Sequence, residues 1–450
     1  MCRLGVPRKT VLVGAACVLA VLVGTLRSTG QADRKYTSLS NQQCLEILNQ
    51  IQADLKEHYY DPRIRGFDLD ERFETARREI AVSRSQDDAL LSIYAAVAAL
   101  RDSHTHFIPP IRPYSVEYGV VLQAVGDSDC YVTAVKPGSD AEEKGLAPGD
   151  QLLTLNGIKY TRADLRTAEY AYQQVVPQVG LHLRIRSAGG AERSLVVLGK
   201  VVPGQPFVRG IDVREFFRHY QPKNRSRYFS VEKKLLVWKL PDFVIDPDDV
   251  DGLLGKVRSY EALVLDLRGN PGGFTATLDK FIGGFFDHEV KVVDKKKRNG
   301  TEPDVAKSRG SKAFSGKLIV LIDSKSASAS EIFARVVQLE KRGTVIGDRS
   351  AGAVAEGADY MHAVKLDATN VTQYGTSITI ADLLMSDGKS LENEGVIPDE
   401  RILGTASDLA SGRDPVLARA LELAGTKISP ADAGKIFPFE WPKKLTVEFD

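Results

Sequence analysis

Apolar residues along this chain change their spacing twice, and each change marks a different kind of structure. Between 39 and 108, Cys44, Leu45, Ile47, Leu48, Ile51, Leu55 and Tyr59 recur at i, i+3, i+4 spacing, the signature of one buried helical face. Ser40 and Gln43 have capping-box spacing ahead of that stripe, and Asp61-Pro62 closes it. The same spacing predicts helices over about Leu69 to Val82 and Asp87 to Leu100. From 114 to 202 the chain turns to short strand-like runs punctuated by Gly and Pro. Tyr118 to Leu122 and Tyr131 to Val135 read as strands. From 205 to 404 the runs become continuously apolar: Leu235 to Trp238, Leu263 to Leu267, Lys317 to Ile322 and Thr344 to Ile346. They alternate with helical patterns, one from about Ala276 and one over Glu331 to Leu339, which predicts an α/β layer with a mainly parallel sheet. From 405 to 450 a short helix is expected at Asp414 to Ala424, with Asp414 as N-cap and Pro415 at its first position, before a tail with no assigned role.

Residues 1–32 stand apart from this pattern. Arg3, Arg8 and Lys9 precede an uncharged, mostly apolar run from Thr10 to Leu26, and small or polar residues follow up to Ala32. That order is a signal peptide or N-terminal anchor, so the expected location is periplasmic or extracellular. Cys17 follows Gly14-Ala15-Ala16, a poor lipoprotein box.

Composition narrows the classes. The chain is 43% hydrophobic and 26% charged, ordinary for a globular protein, and its net charge of +1 argues against a dedicated nucleic-acid binder. Cys2, Cys17, Cys44 and Cys130 lack metal-ligand spacing, and Cys44 with Cys130 is the one pair outside the leader that could bond. No metal and no cofactor is expected. Lys295-Lys296-Lys297-Arg298, before Asn299-Gly300, reads as a solvated hairpin.

Two turns carry candidate chemistry. Arg268-Gly269-Asn270-Pro271-Gly272-Gly273 follows one apolar strand, and Ser324-Lys325-Ser326-Ala327-Ser328-Ala329-Ser330-Glu331 follows another. In parallel sheets both would lie at the carboxyl ends of strands, where sites form. A serine opening a helix has unpaired N–H groups beside it, suited to a developing oxyanion. Read alone, each turn also serves as a plain strand-to-helix connection. His104 and His106, two of only seven histidines, sit together in Asp102-Ser103-His104-Thr105-His106-Phe107, without a third ligand at zinc spacing.

Pro137-Gly138-Ser139 through Gly145-Leu146, Gly149-Asp150 and the Asn156-Gly157 turn resemble a PDZ domain. That resemblance implies an extended peptide added to a sheet edge, with Tyr118, Gly119, Val120 and Val121 as carboxylate loop and first strand. With Leu263-Val264-Leu265-Asp266-Leu267, the Gly-rich turn, Ser326 to Ile332 and Leu391-Glu392-Asn393-Glu394-Gly395-Val396-Ile397-Pro398-Asp399, the whole chain after the leader resembles the C-terminal processing peptidases, also called tail-specific proteases. The resemblance implies a Clp protease/crotonase-type α/β core over 205–404, an inserted PDZ-like domain over 114–202 and a helical segment over 39–110. It also implies Ser328 as nucleophile and an oxyanion hole from the amides around Gly272 and of Ala329. The family's lysine base is replaced here by Ala353. A tricorn-like branch uses Ser-His-Glu instead, which maps to Ser328, His104 and Glu392, with His106 and Glu394 as alternates two residues away. The implied protein is an exported serine endopeptidase acting on polypeptides near their C-termini. An inactive peptide-binding scaffold and a hydrolase of non-peptide esters or amides are the alternatives. Membrane contact is confined to the leader, and self-association is left open.

Overall fold

The structure, a computed structural model, describes residues 38–203, 226–232, 234–368 and 370–441. The leader and residues 205–225 lie outside these. The chain begins with three helices, α1 (Asn41–His58), α2 (Leu69–Ala81) and α3 (Gln86–Ala98). Ser40 and Gln43 form the expected reciprocal cap, and Asp68 and Ser85 cap the other two. The Cys44-to-Tyr59 stripe is buried against Phe73, Ile93, Val97 and Phe107. Strand β1 (His106–Ile108) follows.

Next come β2 (Tyr114–Glu117), β3 (Val120–Val125), β4 (Asp129–Val135), α4 (Asp140–Glu143) and β5 (Gln151–Leu155). Then follow α5 (Arg162–Tyr170), β6 (Gly180–Arg186), β7 (Glu192–Leu198) and β8 (Lys200–Pro203). An antiparallel sheet in the order β3-β4-β5-β6-β7 leaves β3 at its edge, and β2 pairs with β8. Helix α5 packs near β3 and continues into a π-helical turn, Ala171–Val175.

The remaining elements are β9 (Arg227–Val231), β10 (Leu235–Lys239), α6 (Val250–Val257), β11 (Ala262–Asp266), α7 (Thr275–Gly283), β12 (Val290–Lys297) and β13 (Gly300–Ala306). They continue as β14 (Lys317–Ile322), α8 (Ala329–Leu339), β15 (Thr344–Gly347), β16 (Ala355–Lys365), β17 (Val371–Leu384), β18 (Glu400–Arg401), α9 (Ala406–Ala410) and α10 (Pro415–Leu423). The main sheet runs β18-β15-β14-β11-β10-β9, parallel except for β9. Its central strands β10, β11, β14 and β15 are largely apolar because both faces are covered. Leu263, Leu265, Leu318 and Val320 face the layer of α6, α7 and α8, while Ala262, Val264, Ile319 and Leu321 face α10.

A second sheet, β1-β17-β12-β13 with β16 on β17, has a counterpart in the sequence reading only at its β12–β13 hairpin. It joins His106 to Ser377 and so ties the histidine segment to the core. Two expectations change. Cys44 and Cys130 are free thiols buried in separate clusters, so they do not pair. The basic hairpin forms, but Lys295 is only 18% exposed and pairs with Asp304, and Arg298 donates to the Tyr59 and Lys56 carbonyls. Both charges are structural there.

Candidate active site

The neighbouring strands β11 and β14 are parallel, so the glycine turn and the serine turn emerge side by side. Asn270, fully buried, stitches them together. Its carbonyl accepts Ala327 N–H (2.9 Å) and Ser330 Oγ–H (3.0 Å), and its Nδ2 donates to Leu240 O (3.0 Å). Asp323 adds a second tie, accepting Gly269 N–H and Lys325 N–H at 2.9 Å each and Gln123 Nε2–H of β3 at 2.8 Å. Gly272 (φ +97°) presses on the serine: a Cβ there would stand 2.7 Å from Ser328 Cβ, so no side chain fits.

Ser328 has φ 56° and ψ −119°, a conformation that L side chains rarely adopt. Its N–H is held by Ala353 O (2.9 Å) and Glu331 Oε2 (3.0 Å). Glu331, fully buried, also accepts Gly352 N–H (2.7 Å), Ala353 N–H (2.9 Å) and Ser350 Oγ–H (2.5 Å). Burial pushes its carboxyl up to about 7, against the pull of those donors. Ala353 is 2% exposed, and its main chain braces the serine turn. This segment continues to Val354, whose N–H donates to Glu392 Oε2 (2.9 Å), so one short stretch touches both the serine turn and Glu392.

Glu392 reaches the histidine through an intermediary. Ser103 donates its N–H to Glu392 Oε1 and its Oγ–H to Oε2, both at 2.7 Å, and Ser103 Oγ lies 2.8 Å from His104 Nδ1. A hydroxyl has one proton. With that proton on Glu392, Ser103 Oγ accepts from His104 Nδ1–H, and the lone pair falls on Nε2. This is the tautomer a general base needs. Asp102 fixes the loop: its carboxylate accepts the N–H groups of His104 and Thr105 (3.0 Å each), Tyr59 Oη–H (2.7 Å) and the Thr379 hydroxyl. Burial, and secondarily the Arg166 charge, lower the His104 imidazole to about 4, with Asp102 opposing. Burial and Asp102 raise the Glu392 carboxyl. Behind Glu392 lies a polar cavity of about 150 Å³ shared with Tyr60, Arg65, Asp102 and Asp382.

Among the described residues no hydrogen bond joins Ser328 Oγ to His104 or His106. His106 instead lies edge-on to Tyr170, with ring centroids 5.3 Å apart, and Glu394 is exposed, so neither alternate shares the relay. Gly272 stands beside Ser328, but its own N–H is donated to Asn270 Oδ1 (2.9 Å) and is not available to an oxyanion. Ala329 opens α8, where first-turn N–H groups lack intrahelical partners. In the PDZ domain, Gly119 (φ +67°) is forced by contact, since a Cβ would meet Ser139 Cβ at 2.5 Å. Tyr118 is a buried anchor whose hydroxyl donates to Gln178 O (2.7 Å), and Val120 and Val121 begin the edge strand β3. Far along β3, Ala124 O accepts Ser324 Oγ–H (2.5 Å), so the strand edge abuts the serine turn.

The description peptidase family S41 matches residues 234–402, and PDZ domain matches 114–186. The chain carries a peptidase family S41 domain. Around that S41 domain, similarity extends over most of the chain. It is 26% identical over 358 residues to a tail-specific protease of Haemophilus influenzae, covering 74% of this chain and 48% of that protein. It is 23% identical to the carboxyl-terminal-processing protease of Synechocystis sp., covering 79% and 81% of the two chains. The chain thus spans about half the length of the Haemophilus relative. Mature CPAF complexed with lactacystin superposes with a TM-score of 0.60 at 16% identity, covering 82% of this chain and 95% of that one. The photosystem II D1 C-terminal processing protease superposes with a TM-score of 0.51 at 20% identity, covering 89% and 100%. These superpositions establish the fold, an α/β core with an added domain, and the PDZ match assigns that domain to residues 114–186.

Ser103 escaped the sequence reading. A serine beside a histidine is unremarkable by itself, and its partner Glu392 lies 289 residues away. The one available signal was its place inside the Asp-x-His-Thr run.

Proposed function

We propose that the protein is an exported serine endopeptidase of the tricorn-like type, cutting polypeptides near C-termini held by the PDZ domain. The observation that carries this is the Glu392–Ser103–His104 relay, which leaves Nε2 of His104 as the proton acceptor on the S41 core. In the reaction, Nε2 takes the Ser328 proton as Oγ attacks the scissile carbonyl. Glu392, acting through Ser103, stabilises the imidazolium, which then protonates the leaving amine. The Ala329 N–H and the amide of Gly273, the next residue of the glycine turn, receive the oxyanion. The step needs the Ser328 hydroxyl and the His104 ring to close to hydrogen-bond distance when substrate binds. An extended peptide lies on the β3 edge with its carboxylate at Gly119 and runs toward Ser324. The leader supplies export to the periplasm or exterior.

The replacement of lysine by a buried alanine favours a second reading, a peptide-binding scaffold without activity. A fluorophosphonate probe separates the two. Labelling of Ser328 that disappears in Ser328→Ala and in His104→Ala, together with loss of cleavage of an unfolded substrate, supports the peptidase. An unlabelled protein across the pH range, or full activity in His104→Ala, overturns it.

A further inference from the structure

Helix α5 of the PDZ domain presents one stripe to the S41 core. Arg162, Arg166 and Tyr170 are spaced i, i+4, i+8 and so lie on one face. The two ends of that stripe are fixed. Arg162 donates to Gly126 O (2.8 Å) and Ser350 O (3.1 Å) and pairs with Asp348, at the segment that braces Ser328. Tyr170 donates its hydroxyl to Phe107 O (2.8 Å), and its ring meets His106. Glu169, on the adjoining edge of the same face, feels the charge of Lys325 in the serine turn. Arg166 therefore sits on the stripe between contacts to the serine brace and contacts to the histidine strand. Unlike its neighbours it is exposed and has no hydrogen bond or ion pair among the described residues. Its charge reaches both His104 and His106, disfavouring their protonation. An exposed, unpaired guanidinium between those two sets of contacts can meet a planar anion with paired hydrogen bonds.

We propose that Arg166 is a specificity-determining residue that binds a substrate carboxylate within a few residues of the cut, supplied by an acidic side chain or by the chain terminus. This rests on the peptidase reading and names a substrate feature for it. A bound carboxylate would neutralise Arg166 and, in the same act, relieve the charge that disfavours proton uptake by His104. Substrates bearing the anion would thereby also improve the base.

The test uses matched unfolded peptides that differ only after the cut: Asp against Asn, and free C-terminus against amide. They are compared on the full chain and on Arg166→Gln and Arg166→Lys. For wild type, the kcat/KM ratio of anionic to neutral peptide is expected at about 10- to 100-fold, the worth of one charge-assisted bond. The ratio falls toward one in Arg166→Gln and stays intermediate in Arg166→Lys. The Asp/Asn pair and the acid/amide pair identify which carboxylate is read. Asp/Asn and acid/amide ratios that are both unchanged in Arg166→Gln overturn the assignment; an acid-over-amide preference that persists while the Asp/Asn ratio falls belongs to the Gly119 loop and identifies the side-chain carboxylate as the one Arg166 reads. Fluorescence anisotropy of the same peptides on Ser328→Ala, with and without Arg166→Gln, is read independently of turnover. Absence of all cleavage would sink the peptidase reading. Equal binding of anionic and neutral peptides in both backgrounds would sink the Arg166 assignment by itself.

Discussion

Ser103→Ala removes one oxygen and with it two hydrogen bonds, to Glu392 Oε2 at 2.7 Å and to His104 Nδ1 at 2.8 Å. The backbone N–H of Ser103 still donates to Glu392 Oε1, so the carboxylate keeps its place while the imidazole loses its link to it. A bond to a charged group is worth about 1.5–3 kcal/mol, and it matters here mainly when His104 becomes imidazolium. At about 1.4 kcal/mol per tenfold, kcat should fall by about 10- to 100-fold with KM little changed. Ser103→Thr keeps the hydroxyl and should recover most of the rate. Glu392→Gln, which removes the negative charge outright, should cost more than Ser103→Ala. Steady-state kinetics on a peptide cleaved by wild type, with thermal melts to show each variant folded, make the comparison. A Ser103→Ala rate within about twofold of wild type, alongside a crippled Glu392→Gln, would refute the relay and require a direct Glu392–His104 contact.

Four further outcomes follow from the geometry. Because burial depresses His104 to about 4, the acid limb of kcat/KM should lie well below the usual imidazole range near 6.5; a limb at or above 6.5 would contradict the buried base. The same shift makes folding stability decline as pH falls from about 6.5 to about 4, where the unfolded histidine takes a proton that the folded one refuses, and His104→Gln should flatten that part of the denaturation profile. Ser328→Gly should be more stable than Ser328→Ala by about 1 kcal/mol in urea melts, since φ of 56° suits glycine alone; equal midpoints would mean the turn relaxes. Arg162→Ala leaves Asp348, only 8% exposed on its side chain, without its main cation. It should cost about 3 kcal/mol by chemical denaturation and lower activity, whereas a loss under 1 kcal/mol would show that the PDZ and S41 domains dock without it.

Local rules were the legible part of this chain. Ser40 with Gln43, Asp414 with Pro415, and the apolar runs of β10, β11 and β14 each declare their structure within a few residues. The β16–β17 hairpin did not, because the outward positions of β16 mix Gly357, Asp359, Met361, Ala363 and Lys365, and one face alone is buried against the helices. The candidate serine and histidine were legible as motifs. Ser103, the engaged amide of Gly272 and the burial of Lys295 were not, since each is decided by a partner far off in sequence. The Gly272 case is instructive: a glycine turn announces close approach, but which amide stays free depends on where Asn270 aims its side-chain oxygen.

The attachment of β1 to β17 has a bearing on how the molecule comes into being. During synthesis the segment with His104 emerges first, the serine turn much later, and the strand that secures the histidine later still. A nascent or clipped chain that ends before β17 therefore holds the candidate residues only as scattered parts, and the histidine segment is secured only once β17 has been delivered.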